Sequence, residues 1–323
     1  MTPAEPAVLA LAIALDLALG DPRWLPHPVV FIGHLITTLE GVLRKLIRHE
    51  RIAGVLLLIG TAGISATIAW LLLRTSEILH PVAGFLAAAV ISYTCLAARS
   101  LHSESALVAD ALADGNLAEA RRTLAYIVGR DTATLDEADI WRALVETVAE
   151  NTSDGIIAPL FWLTLGGPVA GIAYKAVSTL DSMVGYKNER YLQLGWASAR
   201  MDDLLNFIPA RLTALLMILA APLAGLSPQG ALLTVLRDRL KHPSPNSGHP
   251  EAAAAGALGV RLGGPARYKG IPSWKEYIGT PHAPLDEQAY HGMLKLMYIS
   301  TLIMAAACIA GTCALGGTSV PHL

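Results

Sequence analysis

Charge is what this sequence has least of. Asp, Glu, Lys and Arg make up 15% of its 323 residues, against about 25% in soluble domains, while apolar residues reach 53% where roughly 45–50% is usual. Such a balance argues against a freely soluble chain and points to a membrane. Cysteine is scarce as well: Cys95, Cys308 and Cys313 all sit in apolar segments without metal-like spacing. No disulfide framework is expected, and the three read as small core or lipid-facing residues. Excess positive charge is missing too, since the net charge is -2 and no basic face is interleaved with aromatics, so nucleic acid is not an expected partner. Walker A, Gly-x-Gly-x-x-Gly and His-Glu-x-x-His patterns are absent, so a bound nucleotide would be held without a standard fingerprint. Neither an internal repeat nor a low-complexity linker divides the chain, and one integrated domain over 1–323 is the expectation.

What is present in quantity is uncharged sequence. Runs at 52–73, 82–98, 155–174, 212–236 and 296–315 approach or exceed the roughly 17–25 residues that cross hydrocarbon as a helix. A weaker first span covers 6–20; it contains Asp16 and lacks a basic leader and an Ala-x-Ala site, so it is expected to be retained. The fold class expected is an all-α polytopic membrane bundle with cytoplasmic helices and ordered polar loops. Arg44, Lys45, Arg48 and Arg51 directly precede the 52–73 run and place that end in the cytoplasm. The next two spans then form a hairpin returning near Arg99. Residues 237–295 are rich in Lys and Arg and the tail after 315 has none, so the last span runs outwards. Gly166-Gly167-Pro168 interrupts 155–174, and Pro222 and Pro228 interrupt 212–236. Broken backbone is tolerated at membrane depth where protein or a water-filled cavity satisfies it. Re-entrant segments that keep every polar block on one side are therefore expected, with two full crossings as the alternative.

Between Leu101 and Asn151 the pattern is soluble and helical. Asn116 with Glu119, and Thr134 with Glu137, have N-cap spacing, and Gly129 is placed to stop the first of these helices. At about 100° per residue, Asp139, Glu146 and Glu150 fall opposite the stripe of Ile140, Trp141, Leu144 and Val148, which reads as a solvated face. Asn151 falls about 20° from Leu144, inside that stripe, and is expected to be buried and hydrogen-bonded, because an unpaired buried amide costs about 1–3 kcal/mol. Asp154 follows Glu150 within a turn, so the two acids could share a hard cation such as Mg²⁺. Asn151-Thr152-Ser153 also matches the N-glycosylation pattern, which a cytoplasmic position excludes.

Four further blocks concentrate polar groups. "LGDPRWLPHPV" carries Asp21, Arg23, Trp24 and His27, either as a stiff interfacial turn with a Trp anchor or as part of a site. "LDSMVGYKNERY" offers Asp181, Lys187, Asn188, Glu189 and Arg190, cations that suit phosphate or simply a surface turn. "ARMDDLLNFIPAR" brings Asp202, Asp203, Asn206 and Arg211 to the mouth of 212–236, where Arg211 beside a broken apolar helix is a functional candidate. "KHPSPNSGHPEAAAAGALGVRLGG" reads as a loop held in shape by Pro and Gly, with Lys241, His242, Ser244, Asn246, His249 and Glu251 exposed along it.

Taken in order, "LDLALGDPRWLPHPV", "YIVGRDTATLDEADI", "ETVAENTSDGIIAPLF", "YKAVSTLDSMVGYKNERYLQLGWASARMDDLLNFIPARLTALL" and "KHPSPNSGHPEAAAAGALGVRLGG" make the chain resemble the adenosylcobinamide-phosphate synthase family of cobalamin biosynthesis over nearly its whole length. His249 departs from that pattern, which has Trp before the Pro-Glu pair. The resemblance implies an integral protein of the cell (inner) membrane with a cytoplasmic active site. The implied reaction is an ATP-dependent amide ligation, joining a propionate carboxylate of adenosylcobyric acid to the amine of 1-amino-2-propanol phosphate or ethanolamine phosphate. A carboxylate is a poor acyl donor, so ATP would first convert it to an acyl phosphate. Glu150, Asp154 and Asp181 are the candidates to hold Mg²⁺. Lys187, Arg190, Arg200, Arg211 and Lys241 compete for the phosphates, and His242, with an unperturbed pKa of about 6.5, is the candidate base. Asp21, Arg23, His27, Asn151, Asn188, Asp202, Asn206, Ser244, Asn246 and Glu251 complete the expected binding set. Partners implied are the two substrates, the lipid bilayer and other cobalamin-pathway enzymes. A membrane sensor or transport-like protein on the same scaffold is the alternative.

Overall fold

A computed structural model of the chain describes residues 5–22, 26–186 and 188–316; Arg23, Trp24 and Lys187 lie outside the described residues. The chain divides into two compact units, one made of 1–97, 158–206 and 305–323 and the other of 98–157 and 207–304.

In the first unit, proline writes the helix starts. α1 (Pro6–Leu19), α2 (Pro28–Leu46) and α4 (Pro81–Tyr93) each carry Pro in the first turn, where its missing N–H costs nothing. His27 and His80 cap α2 and α4 by accepting from Val29 N at 3.2 Å and Val82 N at 3.1 Å. α3 (Glu50–Leu79) runs for 30 residues. A Cβ at Gly54 would collide with the carbonyl of Leu194, so the chain beyond α8 lies directly on α3. Ile32, Ile36, Leu57, Val177, Leu180 and Val184 form the core between α2, α3 and α8. α8 (Ala158–Val184) is bent where expected: Gly166 and Gly167 leave helical geometry, Gly167 with φ 68°, and Pro168 starts the second half. α9 (Trp196–Leu205) completes this unit with the end of α13 (Glu287–Gly316).

The second unit opens with α5 (Ala98–Ala113), α6 (Leu117–Leu124) and α7 (Glu137–Thr152). Asn116 caps α6 through Glu119 N at 3.1 Å, as its spacing predicts. Two local expectations need correction. α6 ends at Leu124 rather than near Gly129, because the N–H groups of Tyr126, Ile127 and Val128 close onto the Thr123 and Leu124 carbonyls. The cap of α7 is Asp136, accepting from Asp139 N at 2.8 Å, and not Thr134; a carboxylate beside a free helix N-terminus displaces the hydroxyl two residues earlier.

A widened π turn, Ser153–Ile157, follows α7 and leads into α8. The expected 212–236 segment is two short helices, α10 (Phe207–Ala220) and α11 (Pro228–Asp238), joined by a non-helical turn. The middle of the expected 241–264 loop is also helical: α12 (Gly248–Leu258), 11 residues long, has Pro250 in its first turn and Gly259 beyond its end with φ 69°. Strands β1 (Arg261–Tyr268) and β2 (Ile271–Gly279) then form an antiparallel hairpin with a register shift between Leu262 and Gly264. Among the described residues, this hairpin is the only sheet in an otherwise helical architecture.

Among the described residues, four helical runs are long and apolar enough to cross a membrane: Glu50–Leu79, Pro81–Ala113, Glu137–Val184 and Glu287–Ala314. Cys95 and Cys308 are buried and Cys313 is exposed, none of them in a disulfide.

Candidate active site

The polar face of α7 is not solvated. Glu146 is 2% exposed, and two groups far along the chain satisfy it: Arg130 pairs with one carboxylate oxygen, and the backbone N–H of Gly263 donates to the other at 2.7 Å. Burial works against the charge of Arg130, but Glu146 outweighs it and raises the Arg130 pKa. One turn on, Glu150 is half-buried and accepts from Ser247 Oγ at 2.7 Å. Asn151 is half-buried rather than fully buried. Its amide donates to the Thr147 carbonyl at 2.9 Å, within its own helix.

The 241–247 turn and α12 face these acids. Ser244 organises the turn, its Oγ accepting from the backbone N–H of Asn246 at 3.2 Å and of Ser247 at 3.3 Å. His242 accepts from Ser244 N through Nδ1 at 3.0 Å, which leaves the ring proton on Nε2, 3.6 Å from Glu251 Oε1. Neither ring nitrogen therefore keeps a free lone pair for the base role expected of His242. Burial, with Lys275 adding to it, lowers the His242 pKa to about 4, so the ring is neutral near pH 7.

Glu251, expected on an exposed loop, is 0% exposed, because α12 buries almost its whole surface. Neither of its carboxyl oxygens has a hydrogen-bond partner. Burial drives its pKa well above the ordinary carboxyl range; the charges of Glu146 and Glu150 add to this and Lys275 opposes it. Lys275 on β2 is part-buried, and although burial disfavours its charge, Glu251, Glu146 and Glu150 together raise its pKa. Three acids and one ammonium thus share a poorly solvated volume, with a buried carboxyl left unpaired. Such a group calls for an explanation, and a functional one has a physical rationale.

The other expected residues separate into local structures. In the second unit, Lys241 is tied to Asp238 Oδ1 at 2.7 Å and to the Tyr277 carbonyl at 3.3 Å. Asp238, fully buried, also holds Arg237 and the Gly279 N–H, and its pKa is lowered: burial works against its charge, and the bonds from Arg237, Lys241 and Gly279 more than compensate. Lys241 is therefore a strut between α11 and the hairpin. Arg211 donates to the Phe207 carbonyl at 2.5 Å and to Asn246 Oδ1 at 3.4 Å, with its guanidinium 3.5 Å from the centre of the Phe207 ring. His249 is buried, and burial, with Arg211 and Arg239 adding to it, lowers its pKa to about 4. Asp154 lies half-buried in the widened turn.

In the first unit, His27 Nε2 lies 3.3 Å from Asp21 Oδ1. Asn188 accepts from Tyr191 N at 3.0 Å and shapes a turn. Arg190 is exposed and pairs with Glu40 at 3.1 Å. Asp202 accepts from Asn206 at 3.0 Å, and Asn206 accepts from the Tyr174 hydroxyl at 2.9 Å. Arg200 is exposed, and Asp181 has a buried Oδ1 without a hydrogen bond. Among the described residues, no three His, Cys, Asp or Glu side chains gather into a group able to hold a metal ion, and Asp181 belongs to the other unit from Glu150 and Asp154.

The model of the CobD/CbiB protein family matches residues 9–297. The chain belongs to the CobD/CbiB family. It is 66% identical to the cobalamin biosynthesis protein CobD of Pelobacter propionicus over 99% of both chains. To the CobD of Geobacter metallireducens it is 63% identical over 90% of this chain and 92% of that one. Cobalamin biosynthesis protein CbiB of Salmonella typhi is 44% identical over 97% and 99%. No solved structure matches.

Within this family member, sequence reasoning missed Lys275, Arg130, Ser247 and the inward role of Glu146. Lys275 left one legible trace, since alternation along "SWKEYI" sets it on the same face as Tyr277 and opposite Trp274. A cavity of about 490 Å³ lies against that other face, lined by Asp131, Thr134, Pro265, Arg267 and Trp274 among others. None of the expected site residues borders it.

Proposed function

We propose that the chain is the ATP-dependent ligase that joins a propionate carboxylate of adenosylcobyric acid to the amine of 1-amino-2-propanol phosphate or ethanolamine phosphate. Membership of the CobD/CbiB family and the relatives' naming as cobalamin biosynthesis proteins support the pathway. The observation that carries the chemistry is the unpaired, buried carboxyl of Glu251, 3.6 Å from His242 Nε2 and within the field of the Lys275 ammonium.

In this reading the propionate oxygen attacks the γ-phosphorus of ATP, the bond to the bridging oxygen breaks, and ADP leaves an acyl phosphate. The amine nitrogen then bonds to the carbonyl carbon, phosphate departs with its electron pair, and the amine loses a proton. Glu251 accepts that proton. A carboxyl whose pKa is pushed up by burial is a stronger base than an ordinary one, and His242 Nε2 stands 3.6 Å from it. Lys275 stabilises negative charge on the phosphate as it leaves. Mg²⁺, when bound, neutralises the triphosphate. It needs only one or two protein carboxylates, and Glu150 with Asp154 would hold it. By the distribution of Lys and Arg, this cluster faces the cytoplasm of the cell membrane.

Detergent-purified protein is incubated with adenosylcobyric acid, the amino alcohol phosphate, ATP and Mg²⁺, and the products are weighed by mass spectrometry. Adenosylcobinamide phosphate is expected together with ADP and phosphate. Absence of product with every nucleotide tried overturns the reading.

A further inference from the structure

The segment from Phe207 to Leu240 has a surface that the ligase reading does not use. Leu215, Leu219 and Leu223 on one limb, and Leu232, Leu233, Leu236 and Leu240 on the other, are exposed, with Leu223 at 70% and Leu240 at 74%. No Asp, Glu, Lys or Arg lies between Leu212 and Leu236. The charges stand at the base: Arg211 in the first turns of α10, and Arg237, Asp238 and Arg239 at the end of α11.

The two ends of this segment meet. Arg211 reaches Asn246, beyond the end of α11, at 3.4 Å, and His249 lies close enough to feel both Arg211 and Arg239. What α10 carries away, α11 therefore brings back. The 14 residues of α10 rise about 21 Å and the 11 of α11 about 16 Å at about 1.5 Å per residue, against a hydrocarbon core of about 30 Å. The turn between them is short of the far side.

That turn also meets the condition for hydrocarbon. Ala224 N bonds to the Ala220 carbonyl, Gly225 N to Pro222, Leu226 N to Ala221, and Ser227 N to the Ala257 carbonyl of α12. Ser227 Oγ caps α11 through Gly230 N at 2.9 Å. Four successive N–H groups of the turn, from Ala224 to Ser227, are thus satisfied within the protein, as lipid favours. The inner side is packed like a membrane helix pair. A Cβ on Gly230 would collide with the Gly256 carbonyl, and one on Gly256 with the Gly230 carbonyl, so α11 and α12 touch backbone to backbone, as small residues allow where no water drives association.

We infer that α10 and α11 form a re-entrant hairpin whose outer face docks in the hydrocarbon of one leaflet and whose two ends open on the same aqueous side. The occupant of the exposed leucine face is lipid acyl chain. The base of the hairpin, with Arg211, Asn246 and Lys241, stays in water.

The test uses the full-length protein in lipid vesicles, with Cys313→Ala removing the exposed native thiol and the buried Cys95 and Cys308 kept. A nitroxide attached through Leu223→Cys is expected to collide freely with dissolved oxygen and to be shielded at least tenfold from a water-soluble nickel chelate added to both sides. Glu189→Cys and Ala283→Cys, which flank the hairpin in sequence, are each expected to react with a membrane-impermeant maleimide from one and the same face of sealed vesicles. Labelling of the two flanks from opposite faces overturns the inference in favour of a crossing. Nickel contact at position 223 overturns it in favour of an aqueous hairpin, and shielding there from oxygen as well as nickel in favour of a protein partner.

Discussion

Two clusters of acids and bases, one in each unit, look alike in composition and differ in how they are finished. In the first unit, Glu40 accepts from Arg44 at 2.9 Å and from Arg190 at 3.1 Å, Arg44 also reaches Glu50 at 3.1 Å, and Tyr191 lies beneath both guanidinium groups. Donors and acceptors balance there, and Arg190 stands in water. In the second unit, Arg130 and Gly263 complete Glu146, and Ser247 reaches Glu150, while the Glu251 carboxyl has no hydrogen bond. A closed network holds helices in place. An open one, kept out of water, retains the capacity to bind or to move a proton.

The largest expected contrast is chemical. Glu251→Gln keeps shape and polarity but removes the carboxylate oxygen that accepts the amine's proton, and product formation should fall at least 100-fold with the protein still monodisperse; Glu40→Gln should keep more than half of the native rate. Equal losses in the two variants would erase the distinction. Next comes stability. Arg130→Met leaves the buried Glu146 charge without its partner and should cost about 3–5 kcal/mol in denaturant unfolding, whereas Arg44→Met, at a partly exposed pair, should cost about 1 kcal/mol or less.

A smaller effect concerns pH. His242 and His249 fall from an ordinary 6.5 to about 4 in the folded chain, so unfolded chains take up more protons than folded ones between those values, and these two residues make stability decline as pH drops through that window. Glu251, raised by burial, acts with the opposite sign. The difference between the native chain and His249→Phe therefore isolates one histidine. The variant should show a shallower fall in unfolding temperature by about one proton's worth of slope, measured from pH 7 to pH 4 in detergent. Smallest of all, Arg190→Ala should leave both unfolding temperature and rate within error. A tenfold loss of rate would instead place Arg190 at a substrate phosphate and break the comparison.

The membrane helices were legible because hydropathy is a property of contiguous residues. Both the uncharged run at 52–73 and the Gly-Gly-Pro break reappear as a 30-residue helix and a kink at Gly166–Gly167. The 241–264 segment was misread for an instructive reason. Its Pro and Gly read as loop formers, yet Pro250 sits in the first turn of a helix and Gly259 directly after the last, the two places where those residues punctuate helices. Glu146 was misread because helical periodicity sees only neighbours three and four residues away. Its partners come from Arg130 and from a hairpin that carries no strong strand pattern, with Gly263, Gly264 and Pro265 inside β1. Glu150, His242 and Glu251 could be named from sequence, whereas Arg130, Ser247 and Lys275 could not, and the division into struts such as Lys241 and unpaired groups such as Glu251 depends on contacts that no local pattern encodes.

The bond from Gly263 to Glu146 joins residues 117 positions apart. At about 5–20 residues per second of synthesis, Glu146 emerges roughly 6 to 23 seconds before the amide that completes it, and Arg130 alone precedes it. During that interval α7 carries acids that water must solvate, so the apolar stretch after residue 155 leaves the ribosome while the acid cluster is still unassembled. The order of translation keeps the acids wet until β1 arrives to complete Glu146.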